Sequence, residues 1–489
     1  MRRWSWNWAG IVLGIAAVLL APSGRLRAQE APPAHDDAAT NDPATGDATT
    51  DDATADDAAK IEDLEQRLKI LERKDELDKE QAAEKAKQAP IVTAAGKDGF
   101  TIRTADGASF LRIRGYIQAD AQFYVRDDEA PLTDTFVLRR IRPVFEGTMS
   151  RYFDYKFMPD FGAGTTVVQD AYMDWKLGKP VRLMIGKYKG PVGLERLQSA
   201  QDLLFVSRGL PTNLVPNRDL GLMVHGEPFD GVLSYAAGIF NGVPDGGSAD
   251  LDTNNGKEGA ARLFVLPFRK TSIGPLQGLG IGIAGTYGQN VGTPKSPGLS
   301  TYKTPGLYDF FTWLNDGTQA TAPTAAGTTV GDGRRYRVSP QAYWYAGRFG
   351  AIAEYVRSTQ DVERGAIAET LTNEAWEVTV SLLLTSDTAS YKGVTPKRSF
   401  DPDAHAWGAF ELVARAGALT VDKNAFPDYA DPAKSARAAR DRGFGVNWYL
   451  SRNFRFMLDY IETRFQGGAA AGADREDERV ILNRFQVAF

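Results

Sequence analysis

The chain has 489 residues, a net charge of -5, 11% aromatic residues, three histidines and no cysteine. Disulfides, thiolate metal sites and thiol redox chemistry are excluded, and three scattered histidines give little material for zinc or triad chemistry. After the N-terminal apolar run no stretch of 18 apolar residues occurs, so only a barrel could embed the mature chain in a membrane.

In chain order, Arg2 and Arg3 precede the apolar run Ala9 to Ala21, and the small Ala28 follows. This order predicts a secretory signal peptide over residues 1–28, too short to span a bilayer. Residues 29–59 form an acidic tract of Ala, Asp and Thr with Pro32, Pro33 and Pro43, which reads as a disordered tether. Over residues 60–89, Ile61, Leu64, Leu68 and Leu71 recur at 3, 4, 3 spacing before Asp75 and Asp78 take the next seam positions. That predicts a short coiled coil of about two heptads, an oligomerising stalk, with a solvated single helix as the other reading. The acidity belongs to this leader: residues 29–96 hold 18 acidic and 8 basic residues, whereas residues 97–489 hold 44 and 45.

From Gly99 the hydrophobic period changes from 3.5 to 2. In LRIRGYIQADAQFYV, Leu111, Ile113, Ile117, Ala119, Ala121, Phe123 and Val125 alternate with Arg112, Arg114, Tyr116, Gln118, Asp120, Gln122 and Tyr124. The same alternation recurs in YFDYKFMPDF and in WEVTVSLLL, and less cleanly in NFRFMLDYIETRF and ILNRFQVAF. Soluble sandwiches alternate too. The signal peptide, the long strands and the aromatics spread through them favour an all-β, transmembrane antiparallel barrel over residues 97–489. The terminal Phe489, on the same side as Val487 and Phe485, resembles the assembly signal read by the barrel-assembly machinery.

An enzyme needs converging groups, and few exist. His35 lies in the tether, and His225 and His405 have no i, i+4 partner. GLGIGIAG (Gly278 to Gly285) lacks the Lys-Ser/Thr ending of a phosphate loop and reads as a close-packed strand. DLDTNNGKE (Asp250 to Glu258) has the composition of a calcium loop, but its glycine is one place late, and it reads as a polar surface loop. No cofactor, metal or nucleic acid is expected. What remains is a lumen. If lipid takes the apolar side of each strand, Arg112, Arg114, Arg140, Arg142, Lys156, Arg335 and Arg337 point inward, because a cation at the bilayer midplane costs about 2–4 kcal/mol. Inward cations make an anion path. The competing reading is a structural lining in which Asp120, Glu146, Asp170 and Asp174 neutralise them. Arg139 faces lipid by strict alternation, so it should sit at a strand end or rim. Pro143, without an N–H, suggests a bulge or bend of its own.

With these residues in hand, the body resembles the phosphate-selective porins O and P of Gram-negative outer membranes, from about Phe110 to Phe489. The likeness is carried in order by LRRIRPVFEGTM, FDYKFMPDFG, VQDAYMDW, IGKYKGPVGLERLQSAQDLLFVSRGLP, NRDLGLMVHGE, GIFNGVPDGG, YKGVTPKRSFDPDAHAWGAFELVARAG and FGVNWYLSRNFRFMLDY. It implies a barrel of 16 strands, a homotrimer, a third loop folded into the pore, and an arginine ladder leading anions to a constriction. Carried over by position, Arg139 and Arg140 match the paired arginines there, Lys156 a lumen lysine, Asp170 the neighbouring aspartate and Arg208 a ladder arginine. Lys392 and Lys397 match a basic pair from a later loop. Arg196 stands where members carry the third-loop lysine used for phosphate, and it exchanges a compact ammonium for a planar fork. The expectation is a passive outer-membrane channel for small anions, phosphate or a related phosphorylated anion, with the N-terminal segment periplasmic. Two alternatives stay open: a general porin without phosphate preference, and an envelope tether anchored by the barrel.

Overall fold

The computed structural model describes residues 53–88, 91–94, 99–125, 132–252 and 254–489. The expected signal peptide and residues 29–52 of the expected tether lie outside them. Helix α1 (Ala53–Gln88) begins inside the stretch read as tether and covers nearly all of the expected coiled coil. Along it Ile61, Leu64, Leu68 and Leu71 are exposed.

Twenty strands follow. β1 (Ile91–Ala94) and β2 (Phe100–Arg103) form a small hairpin. Then come β3 (Phe110–Tyr124), β4 (Thr135–Met149), β5 (Phe153–Asp160), β6 (Val167–Lys176), β7 (Arg182–Tyr188), β8 (Asp219–Gly226), β9 (Leu233–Phe240), β10 (Glu258–Val265) and β11 (Leu279–Val291). A second hairpin, β12 (Tyr302–Lys303) and β13 (Asp309–Phe311), sits in a loop. β14 (Val330–Ala346), β15 (Phe349–Arg364), β16 (Ile367–Leu383), β17 (Ala409–Thr420), β18 (Ala436–Tyr449), β19 (Phe454–Gly467) and β20 (Glu478–Ala488) complete the order.

Each strand from β3 onward pairs antiparallel with the next, β11 pairs with β14, and β20 pairs with β3, giving a closed barrel of 16 strands. Closure removes every free edge except where β2 adds to the first residues of β3 (Phe110–Ile113). The closing seam is tied by Phe489, whose N–H donates to the Gly115 carbonyl at 2.9 Å and whose carbonyl accepts from Gly115 N–H at 2.8 Å.

The period-2 pattern becomes a dry outside and a polar inside. On β16, Trp376, Val378 and Val380 face out and are exposed, while Glu377, Thr379 and Ser381 face in and are buried. The glycine-rich strand β11 packs as expected: a Cβ on Gly280 would lie 2.5 Å from the Phe264 ring. Asp250 and Asp252 of the calcium-like loop pair with Lys187 and Lys257.

The irregularity in β4 falls at Arg139. Gln118 pairs with Arg140 and the next residue, Ala119, pairs with Leu138, so Arg139 is the extra residue of a β-bulge. Pro143, where a bulge or bend was expected, keeps register with Gly115. Gly115 spends its own backbone bonds on Phe489, so the missing N–H of Pro143 turns towards β5, whose ladder with β4 covers only Phe145 to Met149.

At the end of the barrel away from the C-terminal Phe489 most connections are long, and residues 189–218 and 292–329 fold into the lumen. Tyr302, Phe310 and Phe311 of the second pack with Leu210, Leu214 and Val215 of the first, and with Leu419 and Phe465 of the wall, in one buried apolar cluster. At the opposite end connections are short, except residues 266–278 and 384–408.

Candidate functional site

Residues 189–218, between β7 and β8, cross the lumen and lie against the far wall, and the wall holds them through their backbone. Glu354 of β15 accepts from the N–H groups of Leu194 and Glu195 at 2.8 and 3.2 Å. Asp459 of β19 accepts from Val206 N–H at 2.6 Å, Arg415 of β17 donates to the Ser207 carbonyl at 2.9 Å, and Asn447 of β18 donates to the Leu204 carbonyl at 3.0 Å. Leu194, Leu203 and Phe205 are buried beneath, and the Arg415 guanidinium stacks 4.5 Å from the Phe205 ring. Gly209 permits the closest approach, since a Cβ there would lie 1.6 Å from Glu377 Oε2.

The opposite face of the loop looks across the lumen at β4. Between them lies a cavity of about 390 Å³, lined by Arg139 and Arg140 of the wall, Arg196 and Arg208 of the loop, and Lys303, Thr212 and Asn213. The bulge brings Arg139 here, so the paired arginines of LRRIRP both reach the pore. None of the four arginines has a carboxylate within 4 Å among the described residues. Arg140 donates to Gln118 Oε1 at 2.7 Å, Arg208 to the carbonyls of Glu195 and Gln198 at 3.2 and 2.9 Å, and Arg196 to the Thr212 carbonyl. Burial, together with Arg208 and Arg218, pushes the Arg196 guanidinium down to about 9. Guanidinium forks held close together without counter-charges suit an anion with several acceptor oxygens.

Towards the end that holds Phe489 a second cavity of about 270 Å³ is lined by Arg114, Arg142, Lys156, Lys189, Arg218 and Asp170. Here the cations are largely neutralised. Arg142 meets Asp160 at 2.7 Å, Lys156 and Arg218 share Asp170 at 2.8 and 2.9 Å, and Arg114 meets Glu146 at 2.8 Å. Among the described residues Lys189 donates only to the Leu197 and Gln198 carbonyls, at 3.3 and 2.8 Å. Burial and then Arg208 hold its ammonium well below the usual lysine value. A third cavity, about 610 Å³, contains Arg112, Arg114, Lys392 and Arg455 with Glu146. The inward-folded segment 384–408 reaches it, and Tyr391 of that segment donates to the Leu194 carbonyl at 2.6 Å.

Of the residues expected from sequence, Arg139, Arg140, Arg196 and Arg208 therefore converge on one cavity. Arg112, Arg114, Arg142, Lys156, Asp170 and Lys392 line the next two. Three placements differ from expectation. Arg335 and Arg337 point inward but are sealed, paired with Glu258 at 3.1 and 2.8 Å, and Arg337 also with Asp245 at 2.7 Å. They are a structural ion-pair lining, because the inner loops cover that side. Lys397 is exposed and donates to the Ser386 carbonyl; it lines none of these three cavities. Lys189, Arg218 and Lys303 were not singled out. The first two lie in KYKG and NRDLG at the bases of the inward loop, and loop position was the signal that could have found them.

A family model described as phosphate-selective porin O and P matches residues 111–489. A comparison with curated protein sequences gives no match. Among solved structures, DcaP, an outer membrane channel of Acinetobacter baumannii, is 9% identical, with a TM-score of 0.50 over 78% of this chain and 98% of that one. A loop L8 deletion mutant of OmpT from Vibrio cholerae is also 9% identical, with a TM-score of 0.50 over 78% and 100%. An anion-selective porin from Comamonas acidovorans is 10% identical, with a TM-score of 0.46 over 78% and 100%. At such identity these likenesses concern the fold alone.

Proposed function

The chain belongs to the phosphate-selective porin O and P family, and from that premise we propose that this outer-membrane channel passes small anions passively, phosphate or a related phosphorylated anion foremost. One observation carries the reading: Arg139, Arg140, Arg196 and Arg208 share one cavity without a carboxylate partner among the described residues. An entering anion exchanges its hydration shell for guanidinium donors there. It then meets Lys189, Arg218 and Lys156, whose charges are partly offset by Asp170, so each binding step is weak enough to release. We further propose that the barrel is a homotrimer, that the N-terminal segment is periplasmic, and that Phe489 is read by the barrel-assembly machinery.

The test is block of chloride current by phosphate, diphosphate and sulfate in planar bilayers. Phosphate or diphosphate should block more strongly than sulfate, and Arg140→Gln with Arg196→Gln should weaken that block by roughly tenfold, about 1.4 kcal/mol. Unchanged block in the double variant places the binding site elsewhere.

A further inference from the structure

The outer wall of β17 to β20 carries charge where a barrel surface is ordinarily bland. Arg437, Arg440 and Arg442 of β18, Arg464 of β19 and Arg479 of β20 face outward, at the end of the barrel away from Phe489. Arg440 stands directly opposite Arg464 across the ladder, a like-charge pairing that destabilises a sheet unless a counter-ion is supplied. Glu462 and Asp477 pair with Arg442, Arg464 and Arg479, at 2.5 Å for Arg442–Glu462 and 3.2 Å for both Arg464–Glu462 and Arg479–Asp477. Arg437 and Arg440 have no carboxylate within 4 Å among the described residues.

Immediately below, the surface turns apolar. Phe444, two residues on from Arg442 and so roughly 7 Å nearer the membrane centre, pairs with Tyr460, and both are exposed. The outward positions of β17 between them and β16 are small: Ala414, Ala416 and Ala418 stand opposite Phe444, Arg442 and Arg440. On their other side stand Val380, Val378 and Trp376 of β16. The low row of alanines between two tall rows makes a trough. At its membrane end it opens into a groove of about 630 Å³ lined by Leu412, Ala414, Phe444 and Leu458, among others.

We propose that this face binds a phosphorylated, acylated glycolipid of the outer leaflet. Its phosphates seat on Arg440 and Arg464, and an acyl chain lies along the alanine trough. Two features with separate origins converge on this amphipathic ligand: an under-neutralised arginine cluster and an apolar groove continuous with it. Their order matches a leaflet, since outward arginines cost little at an interface and about 2–4 kcal/mol at the midplane. The long connections flanking the cluster, residues 421–435 and 468–477, mark its end as the cell-surface side, where outer-membrane barrels carry their long loops. Headgroup phosphates supply acceptor oxygens to Arg440, which has no carboxylate partner among the described residues, and to Arg464, which shares Glu462 with Arg442.

Native mass spectrometry of the detergent-purified full chain tests this with three probes: diphosphoryl lipid A, monophosphoryl lipid A and phosphatidylcholine. Diphosphoryl lipid A should bind most tightly, and Arg440→Gln with Arg464→Gln should weaken it by roughly tenfold. Ala416→Trp, which fills the trough, should do the same. Single-channel conductance of both variants should stay at the wild-type value, which also reports folding. Three results overturn the proposal. The first is equal lipid A binding by wild type and double variant, and the second is displacement of the lipid by millimolar inorganic phosphate alone. The third is loss of the oligomer in lipid-free detergent on mutation, which assigns the face to a second copy of the chain.

Discussion

Arg140 lies almost entirely out of solvent, held by Gln118 and facing three other guanidinium groups. Removing the partner of a buried ion pair typically costs about 3–5 kcal/mol, because the remaining charge is left uncompensated. Arg140 has no carboxylate partner among the described residues, and an anion in the cavity supplies the missing counter-charge. Binding and stability are therefore opposed at this position, as is common in functional sites. Lys189 gives the cluster a pH dependence. A lysine is charged below its pKa, and burial with Arg208 lowers that pKa, so its charge is lost as pH rises while ordinary lysines are still protonated. Anion selectivity should fall as pH is raised through a range below about 10.5, the ordinary lysine value. Lys189→Gln should abolish that fall; a wild-type profile from that variant would remove Lys189 from the path.

Among elements, the loop 189–218 decides what the barrel does. A barrel of 16 strands leaves an aqueous lumen, and this loop narrows it together with residues 292–329 and 384–408. Its position depends largely on wall groups that hold its backbone, from Glu354, Asp459, Arg415 and Asn447, and Arg196 and Arg208 are left to face the pore. Gly209 is the exception. Gly209→Ala drives a Cβ into the Glu377 carboxylate, an overpacking of about 1–3 kcal/mol. The expected result is a shifted loop with altered unit conductance, while far-ultraviolet dichroism stays that of a barrel; wild-type conductance would show that the loop is not pinned there. The loop's inward course was not legible from periodicity, which says nothing about irregular chain, and came only from the family likeness. The β4 bulge was half legible. Alternation flagged Arg139 as misplaced, but Pro143 drew attention to the wrong residue, because its missing N–H is harmless where the β5 ladder has lapsed. Helix α1, with its exposed Leu64 and Leu68, remains available for self-association or tethering. Deleting residues 30–89 should leave conductance unchanged; weakened envelope adhesion in the same cells would favour a tethering role for that segment.

At the scale of the whole molecule, the closed antiparallel barrel was readable because its rule is local: every second residue faces lipid, and β3 and β16 say so over 15 and 17 residues. Which inward cations stay free was not readable, because neutralisation is a long-range matter. Arg484 finds Asp120 across 364 residues of sequence, and Arg337 finds Asp245 across 92. Composition gives a nearly balanced body, yet folding sorts its charges into buried ion pairs along the wall and a cluster of arginines without carboxylate partners among the described residues. The summed field of such a lumen, rather than the net charge of the chain, selects the ion. Reversal potential in planar bilayers under a potassium chloride gradient reads that field most directly. The expected potential is that of an anion-selective pore, with permeability to chloride well above that to potassium. A cation-selective potential, or none, would contradict the assignment of the luminal arginines.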